Sequence, residues 1–284
     1  MCGRAWRNNF CQYWTRMIKA IKLEWLKFKS YKPFMIILAL FVLIYFAVGL
    51  SFKKVIDWFI EENAEGFSFF VDSGLPIFDF VDIWQNLAYI TFLFKYILAF
   101  VVIISICLEY SNKTIRQNFI DGLSRTEFLF SKVGLIVFLT LLSGILLTIL
   151  GLILGMLYSP VTSFPFVITN MEFVLAHMLE VFGFLSFALF VATLIRRTGF
   201  SIVLFVFYAT SIEPIATGIM KYQYELPVWY FPITSFGNLV RLPFEKYIFR
   251  EVQDYVALQD VLVASGWTAI FLYLTYLLIK KRDV

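Results

Sequence analysis

The 284-residue chain is 61% hydrophobic, 20% aromatic and only 15% charged. A soluble domain carries roughly 45–50% apolar and about 25% charged residues, so this composition excludes a water-soluble enzyme, a disordered tail and a secreted disulfide scaffold. The net charge of +4 is modest, and the position of each charge says more than the sum. The three cysteines, Cys2, Cys11 and Cys107, fit no metal or disulfide spacing, and the single histidine, His177, cannot build a multi-histidine site. No metal is expected.

In chain order, residues 1–33 are rich in Arg and Lys. Arg16 to Lys32 reads as a helix with Trp14, Ile18, Ile21, Trp25 and Phe28 recurring at three-to-four spacing and the lysines mostly elsewhere. Such a basic amphipathic helix is expected to lie in the membrane plane. Met17 is an alternative start, with residues 1–16 as an upstream extension. The region 34–279 then holds six apolar runs near the ~20 residues that cross a hydrocarbon core: Phe34–Phe52, Ile83–Leu108, Val133–Tyr158, Met171–Ile195, Phe200–Met220 and Asp260–Ile279. The first is expected to be a span rather than a cleaved leader, being too long for a leader and lacking an A-x-A site. Residues 280–284 form a short tail.

Lys and Arg cluster before Phe34, in the loop after the second run, at Arg196-Arg197 and at Lys280-Lys281-Arg282. The loop after the first run is acidic, with Asp57, Glu61, Glu62, Glu65, Asp72, Asp79 and Asp82. By the positive-inside rule both termini are expected in the cytoplasm, and Trp58, Trp84 and Trp229 fall near the outer boundaries as interfacial aromatics.

The loop Glu109 to Lys132 carries the most local chemistry. Lys113 to Ile120 can form two helical turns, with Ile115 and Phe119 on one side and Arg116 and Gln117 elsewhere. Asp121-Gly122 supplies a stop, and Ser124-Arg125-Thr126-Glu127 is a capping box that starts the third span.

On these residues the chain resembles the permease subunits of ABC-2 type ATP-binding-cassette transporters. In that family an acidic residue closes the second span, a G-T-x-R-like stretch follows, then G-x-S-R, an aromatic or aliphatic pair and a Lys. Glu109, Lys113, Thr114, Arg116, Gly122, Ser124, Arg125, Phe128, Leu129 and Lys132 stand at those places, with Asn112-Lys113 replacing the usual glycine. The resemblance implies an all-α polytopic permease with six spans, inner termini, an N-terminal elbow helix and a re-entrant outer segment between spans five and six. It also implies a coupling helix near Lys113–Asp121, with Phe119 among its contacts, docking on a separate ABC ATPase subunit. Two permease chains, identical or different, would form the path of an exporter in a bacterial inner membrane. No G-x-x-x-x-G-K-[ST] motif occurs in the sequence, so ATP and Mg belong to the partner and the chain itself is expected to be no enzyme. No nucleic-acid partner is expected.

Ionisable groups at membrane depth cost at least about 2.5–3.5 kcal/mol and ask for a reason. Lys95 and Glu180 fall at similar depths, roughly 18 and 14 Å from the outer face at ~1.5 Å per residue, and are expected to pair. The pair is either a static lock on helix register or part of the pathway. His177 is a polar contact or a pathway group. Glu213-Pro214 interrupts the fifth run, and Glu213 is a candidate residue near the outer exit. Gly144, Thr148, Gly151 and Gly155 form a small-residue stripe suited to close helix packing, within the chain or between copies. The rival readings are an ion-coupled secondary carrier working through Lys95, Glu180 and His177, and a non-transporting membrane scaffold or immunity protein.

Overall fold

The computed structural model describes residues 21–62, 78–160, 162–241, 253 and 255–281. Cys2, Cys11, Trp14, Arg16, Met17, Ile18, Lys19, Glu65, Asp72 and Arg282 lie outside the described residues, as do the side chains of Asp57, Glu61 and Glu62. The described part is helical throughout. A first helix, α1, covers residues 21–30. It is followed by α2 (Lys32–Glu62), α3 (Ile83–Ile90), a 3₁₀ turn (Thr91–Phe94), α4 (Lys95–Ser111), α5 (Thr114–Ile120) and α6 (Arg125–Tyr158). Then come α7 (Phe164–Ile168), α8 (Glu172–Ile195), α9 (Thr198–Phe207), a π turn (Tyr208–Ile212), α10 (Glu213–Tyr224), α11 (Pro232–Gly237) and α12 (Leu258–Lys281).

Six stretches are long and apolar enough to cross a membrane: Lys32–Val55, Ile83–Ser111, Arg125–Tyr158, Phe164–Ile195, Thr198–Tyr224 and Leu258–Lys281. They coincide with the six runs read from sequence and exceed several of them by a turn or more. The fourth span is the hub. Its main helix, α8, packs against α4, α6, α9 and α12 and is largely apolar all round, as befits a central helix, with His177 and Glu180 as buried polar exceptions. Aromatic rings fill its contacts: Phe184 meets Phe205 at 5.0 Å between centroids, and Phe187 meets Phe271 at 5.0 Å. The first and fifth spans lie at the edge, with few of their residues buried.

Two local features depart from the sequence expectation. The fourth span begins earlier than Met171, because α7 precedes it and a turn at Asn170 joins the two. Asn170 adopts φ 61°, which asparagine tolerates better than most residues, and its side-chain amide donates to the Val81 carbonyl at 2.8 Å. The fifth span is not interrupted at Glu213-Pro214. Proline lacks an N–H and its ring collides with the carbonyl four residues back, and the π turn immediately ahead widens the backbone so that α10 continues with proline in its first turn.

The small-residue stripe on α6 is filled from within the chain. A Cβ on Gly151 would stand 2.6 Å from the Trp84 ring, one on Gly155 2.4 Å from Phe80, and one on Gly144 2.7 Å from Met178. Trp84 is accordingly a fully buried knob, and its indole N–H donates to the Val167 carbonyl at 3.0 Å. It is not an interfacial residue, whereas Trp58 and Trp229 are exposed. Because buried Trp84 cannot swing away, Gly151→Ala is expected to lower unfolding free energy by ~1–3 kcal/mol through overpacking. Gly199→Ala, whose Cβ meets open space, should be neutral or stabilising. Chemical unfolding of the two variants side by side in one detergent checks this, and equal midpoints would refute the packing argument.

Candidate coupling site and intramembrane charges

Contacts bring the basic segments together: Lys27 pairs with Glu109, Arg125 bonds the Lys280 carbonyl and Arg196 lies over the Tyr110 ring. Helix α5 stands there between the second and third spans. Lys113 precedes it with φ 57°, a left-handed conformation that glycine adopts freely, which accounts for the glycine at this place in the sequences the loop resembles. The Thr114 hydroxyl donates to the Glu109 carbonyl at 3.3 Å. Gly122, at φ 93°, turns the chain out of α5. Ser124 and Glu127 then form the capping box reciprocally, Glu127 N–H to Ser124 Oγ at 3.2 Å and Ser124 N–H to Glu127 Oε2 at 2.7 Å.

One side of α5 is fixed to the bundle. Ile115 is buried with Phe128 of α6 and Ile279 of α12, and Phe119 sits edge-to-face on Phe128 at 5.8 Å. The Arg125 guanidinium adds a hydrogen bond to the Lys280 carbonyl. The other side is open: Lys113, Arg116, Gln117 and Asp121 are exposed, and Ile120 is 78% exposed. Phe119, singled out from sequence, therefore supports the helix from beneath. The exposed apolar residue is its neighbour Ile120, which the i, i+4 pairing of Ile115 with Phe119 drew attention away from.

Directly beside α5 lies a buried charge network that joins three elements. Lys132 of α6 is 2% exposed. Its ammonium pairs with Glu24 of α1 and stands 3.2 Å from Glu109 Oε2 at the end of α4. Lys27 of α1 reaches the other Glu109 oxygen at 3.1 Å. The Ser105 hydroxyl donates to Glu24 at 3.4 Å and accepts from Lys132 at 3.4 Å. Burial by itself would raise the Glu24 carboxyl, but Lys132, Lys27 and the Ser105 hydroxyl more than offset it and hold the group below its ordinary value. Glu24 was not singled out from sequence; only its contact with α6 reveals its part.

Deeper in the bundle, Lys95 and Glu180 form an ion pair with both side chains buried. The ammonium also lies 4.8 Å from the Phe184 ring centroid and 5.8 Å from that of Phe92, where the ring faces favour a cation. His177 is buried and shares a hydrogen bond of 2.9 Å with the Ser143 hydroxyl, which ties α8 to α6. Glu213 belongs to a different neighbourhood. One oxygen accepts from the Thr234 backbone N–H at 2.7 Å and from its hydroxyl at 3.0 Å. Phe231, which precedes α11, has no side-chain cap, so Glu213 caps that helix from the fifth span and places a carboxylate at the positive end of its dipole. Among the described residues no cluster of His, Cys, Asp or Glu is placed to hold a metal.

Residues 20–211 match the model of the family described as ABC-2 family transporter protein. That is more than half of the chain. The chain belongs to the ABC-2 transporter family. No curated protein matches it. The matched part of this ABC-2 permease contains α1, α5, the Glu24–Lys132–Glu109 network, Lys95, His177 and Glu180, and it ends inside the π turn. Glu213, the outer helix α11 and the sixth span lie beyond it. As a member of this family the protein is a multi-pass membrane component of a transporter.

Proposed function

We propose that this chain is the permease subunit of an ATP-driven exporter in a bacterial inner membrane, that two permease chains enclose the path, and that ATP and Mg are bound by a separate ATPase subunit. The observation that carries the reading is the two-sided character of α5. Its inner side is anchored through Ile115 to both α6 and α12, while its outer side offers Arg116, Gln117 and Ile120 to a partner. A helix held this way moves with the spans rather than independently of them.

In this reading the basic end faces the cytoplasm, in accord with the positive-inside rule, and α5 is the coupling helix. A push on α5 reaches the second span through Glu109, the third through the capping box, the sixth through Ile279 and the Arg125–Lys280 contact, and the elbow α1 through Lys132. The segment containing α11 is the outer re-entrant element: Phe236 seats against Gly183 of α8, where a Cβ would be 2.3 Å from its ring, and Glu213 fixes its start.

The test is co-purification of the tagged chain with an ATPase carrying a phosphate-binding loop. Arg116→Ala together with Ile120→Ala, both surface changes, is expected to lose at least tenfold of the bound ATPase with no change in thermal midpoint. A lone chain that transports without any ATPase would overturn the reading.

A further inference from the structure

Between α1 and the start of the third span runs a groove of about 450 Å³, lined by Ile21, Trp25, Gly134, Leu135 and Phe138, with Lys22 and Glu24 at its edge. The volume falls inside the ~300–1,000 Å³ range of ligand sites. Along it Trp25 sits edge-to-face on Phe138 at 4.6 Å between centroids. Its width depends on Gly134, because even a Cβ there would come to 3.1 Å from Ile21. The edge is electrostatically one-sided. Glu24 is turned inward and paired with Lys132, which leaves the exposed Lys22 as the other charged residue among the described lining residues.

An apolar groove beside an amphipathic helix, at the first membrane turns of a span and lined, among the described residues, by one exposed lysine, fits a chain with an anionic head. We propose that this groove binds one acyl chain of an anionic phospholipid of the cytoplasmic leaflet, with Lys22 meeting the phosphate. The leaflet, though not the binding, rests on the orientation adopted above. A lipid wedged there would clasp α1 against the third span, beside the network that joins α1 to α5. Each lysine near an anionic headgroup contributes ~1 kcal/mol, equivalent to about fivefold in affinity. Interfacial helices bury their apolar face to about the depth of such a chain's upper methylenes.

Native mass spectrometry of the full chain in detergent, given equal phosphatidylglycerol and phosphatidylcholine with matched acyl chains, tests this. The wild type is expected to retain one phosphatidylglycerol with about fivefold preference. Lys22→Gln should erase the preference without reducing phosphatidylcholine retention, and Gly134→Leu should abolish retention of both. Lys22 is exposed, so its variant answers the question even if Gly134→Leu fails to fold. Equal retention of the two lipids, or a preference unchanged in Lys22→Gln, would overturn the proposal. So would displacement of the lipid by inorganic phosphate, which would mark a simple anion site. Retention seen only after deletion of residues 1–16 would overturn it too, by showing that the chain's own N-terminus fills the groove. Detergent has no leaflets, so a wrong orientation would leave these results intact and appear separately in thiol labelling of Ser30→Cys in sealed vesicles.

Discussion

Replacing Lys132 by methionine is expected to lower the unfolding free energy by ~3–5 kcal/mol, the range for removing one partner of a buried ion pair. The size follows from what remains. Methionine fills much of the same volume, but Glu24 and Glu109 would then share a buried site with Lys27 as the one nearby cation among the described residues, and Lys27 is bonded to Glu109 and half exposed. The loss therefore reflects an uncompensated carboxylate more than a missing attraction. Adding Glu24→Gln to Lys132→Met should recover a large part of it, because the double variant buries no unpaired charge. Denaturant unfolding of the wild type and the two variants in one detergent gives the comparison, and a single variant within ~0.5 kcal/mol of wild type would show that the network is not a stabilising joint.

Acid should narrow the gap between the wild type and Lys132→Met. The folded Glu24 carboxyl titrates below its ordinary value, so its contribution is complete above the unfolded value of about 4.3 and is lost as pH falls through the folded one. In Lys132→Met the same carboxyl has lost its main counter-charge, and protonation relieves its burial. The variant should gain on the wild type as the medium is acidified from neutrality, whereas a simple packing defect would leave the gap unchanged with pH.

The six spans were legible because their apolar runs are long and the charges between them alternate in sign, and each of these signals is a property of neighbouring residues. The Ser124–Glu127 capping box was legible for the same reason: both partners lie within one turn. Glu24 was not, since the residue that gives it meaning is 108 positions away. Trp84 was misplaced because its position at a span end suits an interfacial ring equally well, and only the missing side chain of Gly151 turns it into a buried knob. The i, i+4 spacing of Ile115 and Phe119 placed both on the side that meets Phe128, but it said nothing of Ile120, whose apolar side chain turns outward one step further along. Pro214 read as a break because sequence carries no sign of the wide turn that absorbs it. Lys95 and Glu180 were matched by depth and opposite charge, a rule that works inside a bilayer because water cannot stand in for a partner.

That pair carries the second large effect. Lys95→Met or Glu180→Met alone is expected to destabilise the protein by ~3–5 kcal/mol, since each leaves a buried charge without its partner. The double variant should return close to wild-type stability, which is the known behaviour when a buried pair is replaced by apolar groups of similar volume. Stability alone would not separate a register lock from a pathway group, so the deciding readout is ATP turnover by the double variant when co-purified with the ATPase proposed above. The surroundings favour the lock. The ammonium is closed in by Phe184 and Phe92, the carboxylate is buried, and the nearby histidine of the same helix is occupied by Ser143. A sealed pair of this kind should be dispensable once the helices are held in register by apolar packing, and turnover should survive in the double variant. Recovery of stability with loss of turnover would instead move Lys95 and Glu180 into the path, because nothing but a function in transport would then require the charges themselves.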